Sequence, residues 1–287
     1  MKSTRTLLLL SFCLMFLFLF QGSGRAWWNG GHQSATQAAL SKAPEDMPAF
    51  FRKGAIELAE MSTEPDNWKH PTAPNLKRTE GAEHYIDLEY LEGNPIPQQR
   101  FELAKYYVTK NIDMSKGGFL PHAIQEGYER LMLAFREHRN RPDSIAAQQR
   151  VLMYAGWLAH YCADAAMPLH TTIHFDGKPG ENGAPSPQKG IHNRIDAYPE
   201  KFGITAELMA EGLKAEHAIS VWPLIVKTIQ ESHTHVEKCF ELEAQGAFEK
   251  APEKGREFMI ARTRVAAKFT LDLWYSAWLN SDKATIK

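Results

Sequence analysis

The chain has 287 residues, 44% of them hydrophobic and 23% charged, with a formal net charge of −1. That length suits a leader followed by one sizeable domain. The near-neutral balance excludes the broad basic surface on which non-specific duplex binding relies, so any recognition of phosphate has to be local.

Residues 1–26 read as a secretory signal. Lys2 and Arg5 form the charged start, Leu7 to Phe20 the apolar run, and Gly24-Arg25-Ala26 a small-x-small cleavage site. Cleavage there makes Trp27 the first residue of a mature domain spanning 27–287, takes the formal charge to −4, and sends the protein to a secreted or periplasmic location. The apolar run is short for a bilayer span, and no later segment resembles a membrane helix.

Apolar residues at three- and four-residue spacing then predict helices over Gln33–Leu40, Met47–Met61, Gln98–Asn111, Pro121–Glu137, Ser144–Ala166, Ile191–Tyr198, Thr205–Glu211, His217–Leu242 and Lys254–Leu279. Alternating strand patterns are missing, so the expected fold is all-α, a single compact multi-helix domain. Pro and Gly concentrate in Pro65–Gly81 and Asp176–Gly190, which read as loops, the second as a rim of the active site. Cys162 and Cys239 are the cysteines of the mature chain; an oxidising compartment allows them to pair, and a buried free thiol at Cys162 is equally compatible. The aromatic stretch Leu271–Trp278 is expected to pack on the core, with a membrane-facing patch as the alternative.

Chemistry concentrates in two short segments. His160-x-x-x-Asp164 and His192-x-x-x-Asp196 each repeat the four-residue spacing that stacks two side chains on one helical face, and His170 follows the helix-breaking Pro168. One such pair is commonly a surface ion pair; two in succession with a third histidine between them point to metal binding. In chain order the candidate ligands are the Trp27 amine, His32, Asp66, His84, His160, Asp164, His170, His192 and Asp196. Nitrogen and carboxylate donors without thiolate suit zinc or a similar divalent ion at a hydrolytic site. His70, His122, His138, His174, His217, His233 and His235 have no place in the series and read as surface or structural residues, His174 being the nearest to it.

This order resembles the S1/P1 nuclease and zinc-dependent phospholipase C superfamily: Trp27-x-x-x-Gly31-His32, Pro65-Asp66, His84-Tyr85-Ile86-Asp87, His160-x-x-x-Asp164-x-x-x-Pro168-Leu169-His170 and His192-x-x-x-Asp196. The resemblance implies a helical domain with a trinuclear metal cleft holding three zinc ions. Asp66, His84, His160 and Asp164 would hold the first, His170, His192 and Asp196 the second, and the Trp27 amine and carbonyl with His32 and Asp164 the third. It also implies hydrolysis of a phosphoric ester by in-line attack, with Asp66 as the catalytic carboxylate that orients or deprotonates the water.

Within that superfamily the sequence favours a nuclease or nucleotidase acting on single-stranded nucleic acid or nucleotides. Tyr85 would stack a base and Asp87 accept from its edge, although packing and capping explain them equally well. Lys69, a further substrate-binding candidate, lies three residues after Asp66, where such nucleases carry an arginine that helps the transition state; lysine is a departure from that pattern. A phospholipase C with phospholipid as substrate is the alternative, and a non-catalytic metal-binding helical protein a reading from another class. No stable protein partner is implied. Di-iron bundles use Glu-x-x-His ligands, and neither an adjacent His-Asp pair, a Gly-x-Ser-x-Gly elbow nor a phosphate-binding Gly-rich loop occurs.

Overall fold

A computed structural model of the protein describes residues 28–180, 182 and 184–282. The signal segment, its cleavage point and Trp27 lie outside the described residues. Among the described residues fourteen α-helices follow in order: α1 Asn29–Ser41, α2 Ala49–Lys53, α3 Ala55–Met61, α4 Glu64–Asn67, α5 Pro74–Gly81, α6 Arg100–Thr109, α7 Met114–Gly117, α8 Leu120–Asn140, α9 Ile145–Ala166, α10 Ile191–Lys201, α11 Ala206–Ala210, α12 Trp222–His233, α13 Val236–Ala244 and α14 Arg256–Asn280. Among the described residues there is no strand, only an isolated bridge between Ile86 and Gly118. No helix among them is long and apolar enough to cross a membrane.

The central helix is α9. Ser144 starts it by accepting the Ala147 amide on its hydroxyl (3.3 Å). Pro168 ends it, because proline cannot continue the hydrogen-bond ladder and holds Met167 in an extended conformation. Between these limits α9 packs on α3, α8 and α14. Gly156 permits the closest of these approaches, since a Cβ there would lie 2.3 Å from the Met61 Cβ.

Two apolar clusters meet along α9. One gathers Leu158 and Cys162 with α8 and with Trp274 of α14; the other gathers Ala163 and Ala166 with Ile195 of α10, Met209 of α11 and Phe240 of α13. Each fully buried large side chain contributes on the order of 1.5–3 kcal/mol. Trp274 also donates its indole N–H to the Ala155 carbonyl (3.0 Å), which fixes α14 against α9. The stretch Leu271–Trp278 is therefore core helix: Leu271, Leu273 and Trp274 are buried, which overturns the membrane-facing alternative. Cys162 and Cys239 are both free, buried in different clusters.

Several boundaries differ from those predicted. The helix expected over Met47–Met61 breaks at Gly54, where a Cβ would run into Leu152 of α9 at 2.6 Å. The one expected over His217–Leu242 begins only at Trp222. Residues ahead of it lie along α14, which satisfies their backbone through side chains: Asp272 accepts the Glu216 amide (2.8 Å) and Ser276 that of Ala218 (2.9 Å). A turn at Thr234–His235 then divides it into α12 and α13. The Pro-rich segment 65–81, read as a loop, holds α4 and α5, each with proline in its first turn where no amide is needed.

Candidate metal centre

The end of α9 carries His160 and Asp164 to the seam between the two apolar clusters. Asp164 is fully buried and stands in the middle of the site. Its Oδ2 lies 2.9 Å from His84 Nδ1 and 3.4 Å from His160 Nε2, while Oδ1 lies 3.7 Å from His32 Nε2 and 3.9 Å from His170 Nδ1. One carboxylate thus faces histidines from α1, from α9 itself and from the turns Ala82–His84 and Pro168–Thr171. Asp66, on α4, completes this side, its Oδ1 3.9 Å from both His84 Nδ1 and His160 Nε2.

A second set sits beside it. His170 Nε2 and His192 Nε2 are 3.0 Å apart, and His192 Nε2 is 3.0 Å from Asp196 Oδ2. Pro168 places His170 by ending α9, and the four-residue spacing places His192 and Asp196 on one face of α10. Trp28 enters α1 alongside α10, donating its amide to the Asp196 carbonyl (3.1 Å).

Three metal-capable groups result: His32, His160 and Asp164; Asp66, His84 and His160; His170, His192 and Asp196. Every predicted ligand among the described residues belongs to one of them, and Trp27 lies outside those residues. His160 is shared by two of the groups, and Asp164 belongs to one of them and stands at the centre of the site.

The donor chemistry fits divalent cations. His160 Nδ1 faces the Ser62 carbonyl (2.8 Å) and His170 Nδ1 the His84 carbonyl (2.6 Å). A carbonyl only accepts, so each Nδ1 carries the hydrogen and each neutral ring turns a lone pair on Nε2 into the site. Burial, reinforced by neighbouring cationic groups, holds His32, His84 and His170 well below the usual imidazole range. Burial pushes Asp164 up, and Asp196 up to about 6. His160 and His192 go the other way: burial would lower them, but Asp164 and Asp196 outweigh it. Both nitrogens of His32, Asp66 Oδ2, Asp164 Oδ1 and Asp196 Oδ1 are buried without a hydrogen-bond partner. Carboxylate oxygens buried without partners are costly unless a cation joins them.

In front of this floor opens a cavity of about 480 Å³ onto which His84, His170 and His192 face. Lys69 lines it and reaches back to Asp66 Oδ1 at 2.6 Å. Tyr85 and Asp87 line it as well. They stand on an extended segment held against Gly118, whose φ of +83° and closeness to the Tyr85 carbonyl leave no room for a Cβ. The Tyr85 hydroxyl donates to the Ser115 carbonyl, and burial, followed by the charge of Glu89, pushes Asp87 up to about 7.

The remaining expectations divide. The described part of segment 176–190 does not line the cavity; it is held outward by a Lys178–Glu237 ion pair (2.6 Å) and by the Gln188 amide on the Phe240 carbonyl (2.9 Å). The neighbouring residues Ile173 and Phe175 form the rim instead. The histidines outside the series stay outside all three groups. Lys77, Lys116, Ile173 and Phe175 were not singled out from the sequence. None belongs to a spaced motif, and only the fold brings them to one mouth.

No known protein family matches the chain by sequence, and no curated protein does. Among solved structures it is similar to the alpha-toxin of Clostridium perfringens isolated from avian strain SWCP, with a TM-score of 0.48 and 16% identity over 90% of this chain and 65% of that one. It is also similar to the alpha toxin from Clostridium absonum, with a TM-score of 0.46 and 13% identity, again over 90% and 65%. The chain thus spans less than two thirds of the length of either toxin. Both likenesses are weak, and the chemistry of the site is carried by its own side chains.

Proposed function

We propose that the protein is a zinc-dependent hydrolase of phosphoric esters and that its substrates are phospholipids, cut on the glycerol side of the phosphate. The observation that carries the hydrolase reading is the coincidence of three His/Asp groups, several of their atoms dry and unpartnered, with a cavity that admits a substrate to them. The choice of phospholipid rests on the rim: Ile173 and Phe175 stand partly in solvent at its edge, with the Phe175 ring 5.6 Å from that of His192.

The groups as the structure arranges them would hold the ions, with the Trp27 amine joining His32 and Asp164 once the signal is removed. Bound zinc would supply positive charge to the phosphoryl oxygens and the leaving oxygen. Asp66 orients the attacking water and takes its proton, and Lys69 holds that carboxylate in place. The carbonyls of Ser62 and His84 keep His160 and His170 in the tautomer that binds a cation. On this reading residues 27–287 form the mature enzyme, secreted or periplasmic.

A nuclease or nucleotidase is the second reading, favoured by Tyr85 and Asp87 lining the same cavity. Parallel assays of the zinc-loaded mature protein on phospholipid vesicles, single-stranded DNA, single-stranded RNA and 3′-mononucleotides decide between them. Diacylglycerol release with no nucleotide product is the expected result; nucleotide products alone would establish the second reading. Activity that survives chelation and elemental analysis without zinc would defeat both.

A further inference from the structure

The cavity is lined by residues of two unlike kinds. Lys77 of α5 and Lys116 of α7 line it, both exposed and without an ion-pair partner among the described residues. The carboxylate nearest Lys116 in sequence, Asp113, is occupied in capping α7, accepting the Ser115 amide (2.9 Å) and hydroxyl (2.7 Å). Lys69 adds a third ammonium deeper in, against Asp66. The one carboxylate lining the cavity among the described residues is Asp87, which is buried. Ile173 and Phe175, which line it too, expose 37% and 50% of their surface.

Such a mouth discriminates between headgroups. A zwitterionic lipid brings a cationic tail end to its phosphate, which here meets two lysines and, among the lining residues, no exposed carboxylate. A headgroup with negative charge beyond the scissile phosphate meets complementary charge. The same lysines are attracted to an anionic bilayer, and an exposed aliphatic and an exposed aromatic side chain beside them can enter the lipid interface. The chain as a whole gives no such attraction, since its formal charge is slightly negative.

We propose that this face of the protein docks on anionic bilayers and that its substrates are anionic phospholipids, Lys77 and Lys116 binding the headgroup while Ile173 and Phe175 enter the interface. The proposal rests on the phospholipid reading of the metal centre. Co-sedimentation of the zinc-loaded protein with vesicles of phosphatidylcholine alone, and of phosphatidylcholine mixed equally with phosphatidylglycerol, tests it, with diacylglycerol release followed on both.

Binding is expected to be roughly tenfold or more tighter on the mixed vesicles, as two interfacial lysines imply, and to weaken as salt is raised. Hydrolysis is expected to consume phosphatidylglycerol ahead of phosphatidylcholine. A Lys77→Glu/Lys116→Glu double variant should lose the preference between vesicles, while Phe175→Ala should weaken binding to both and keep the preference. Diacylglycerol released equally from both lipids, with equal binding, would overturn the proposal and leave the phospholipase reading standing. Vesicle binding that prefers phosphatidylglycerol, with diacylglycerol from neither lipid, would overturn the phospholipid reading and the assigned substrate together. The comparison of vesicles needs no variant, so a folding defect in the double variant cannot mask the answer.

Discussion

His160 and Asp164, on the floor of the cavity, stand on a 22-residue helix packed on three neighbouring helices, whereas Lys77, Lys116, Ile173 and Phe175 at its mouth stand on short helices and turns that face solvent. The floor therefore inherits its geometry from the core, and its side chains cannot move without disturbing packing. The mouth owes its arrangement to local turns and can change residue type at little cost to the fold. Substitutions should separate along that line: on the floor, activity, metal content and stability fall together; at the mouth, substrate preference or membrane binding changes while metal content holds.

The largest effect expected is that of Asp164→Asn. Its carboxylate faces four histidines, so its loss should empty more than one metal group and remove several kcal/mol of transition-state stabilisation, about 10³-fold in rate. Elemental analysis alongside kinetics checks this, and a variant that keeps its full complement of zinc would show that Asp164 is not central. Gly156→Val comes next. The added Cβ meets Met61, and overpacking should cost about 1–3 kcal/mol, or a Tm lower by about 3–10 °C. If Tm and zinc content are both unchanged, the floor does not depend on the seating of α9 on α3.

His122 tests whether burial, with the charge of Arg100 adding to it, accounts for a depressed histidine away from the metal groups. It lies in the first turn of α8 with Nε2 on the Pro97 carbonyl (3.0 Å) and Nδ1 without a partner, and burial pushes it down to about 4. Because the folded state resists a proton that the unfolded chain accepts below about 6.5, the stability tied to neutral His122 is complete above that pH. It is lost as pH falls toward 4, in all about 3 kcal/mol. Urea unfolding of the metal-free protein across this window should be less pH-dependent in His122→Gln by that amount; identical slopes would discard the assignment. Tyr85→Phe should matter least. It removes one hydrogen bond at the mouth, worth about 1 kcal/mol, and zinc content should not change.

What was legible in the sequence follows the same division. The spacing of His160 to Asp164 and of His192 to Asp196 marks ligands because a helix turns the same face outward every fourth residue, and the breaking effect of Pro168 places His170. The ends of α9 are legible for the same local reasons, a serine cap and a proline stop. By contrast, the late start of α12 depends on Asp272 and Ser276, side chains more than fifty residues away that capture the backbone of Glu216 and Ala218. No local pattern announces that. The mouth is hidden for a related reason: Lys77 lies in a stretch rich in proline and polar residues, and it joins Lys116 at the cavity only once α5 and α7 are folded around Tyr85. Pro and Gly mark Pro65–Gly81 as irregular, yet proline in a first turn also starts short helices, and there it does.

The His84 peptide has a consequence of another kind. Its imidazole belongs with Asp66 and His160, its carbonyl aims the His170 ring, and the His170 carbonyl in turn receives the Ile86 amide (2.9 Å). Two neighbouring groups thus share one stretch of backbone, so occupancy of either should alter the affinity of the other, by an equal factor in each direction. Titration with a chelator, followed by metal content, is accordingly expected to empty these groups as a unit over a narrow range of free zinc, and a His84→Ala protein to release ions from the His170 group even though none of that group's donors has been changed.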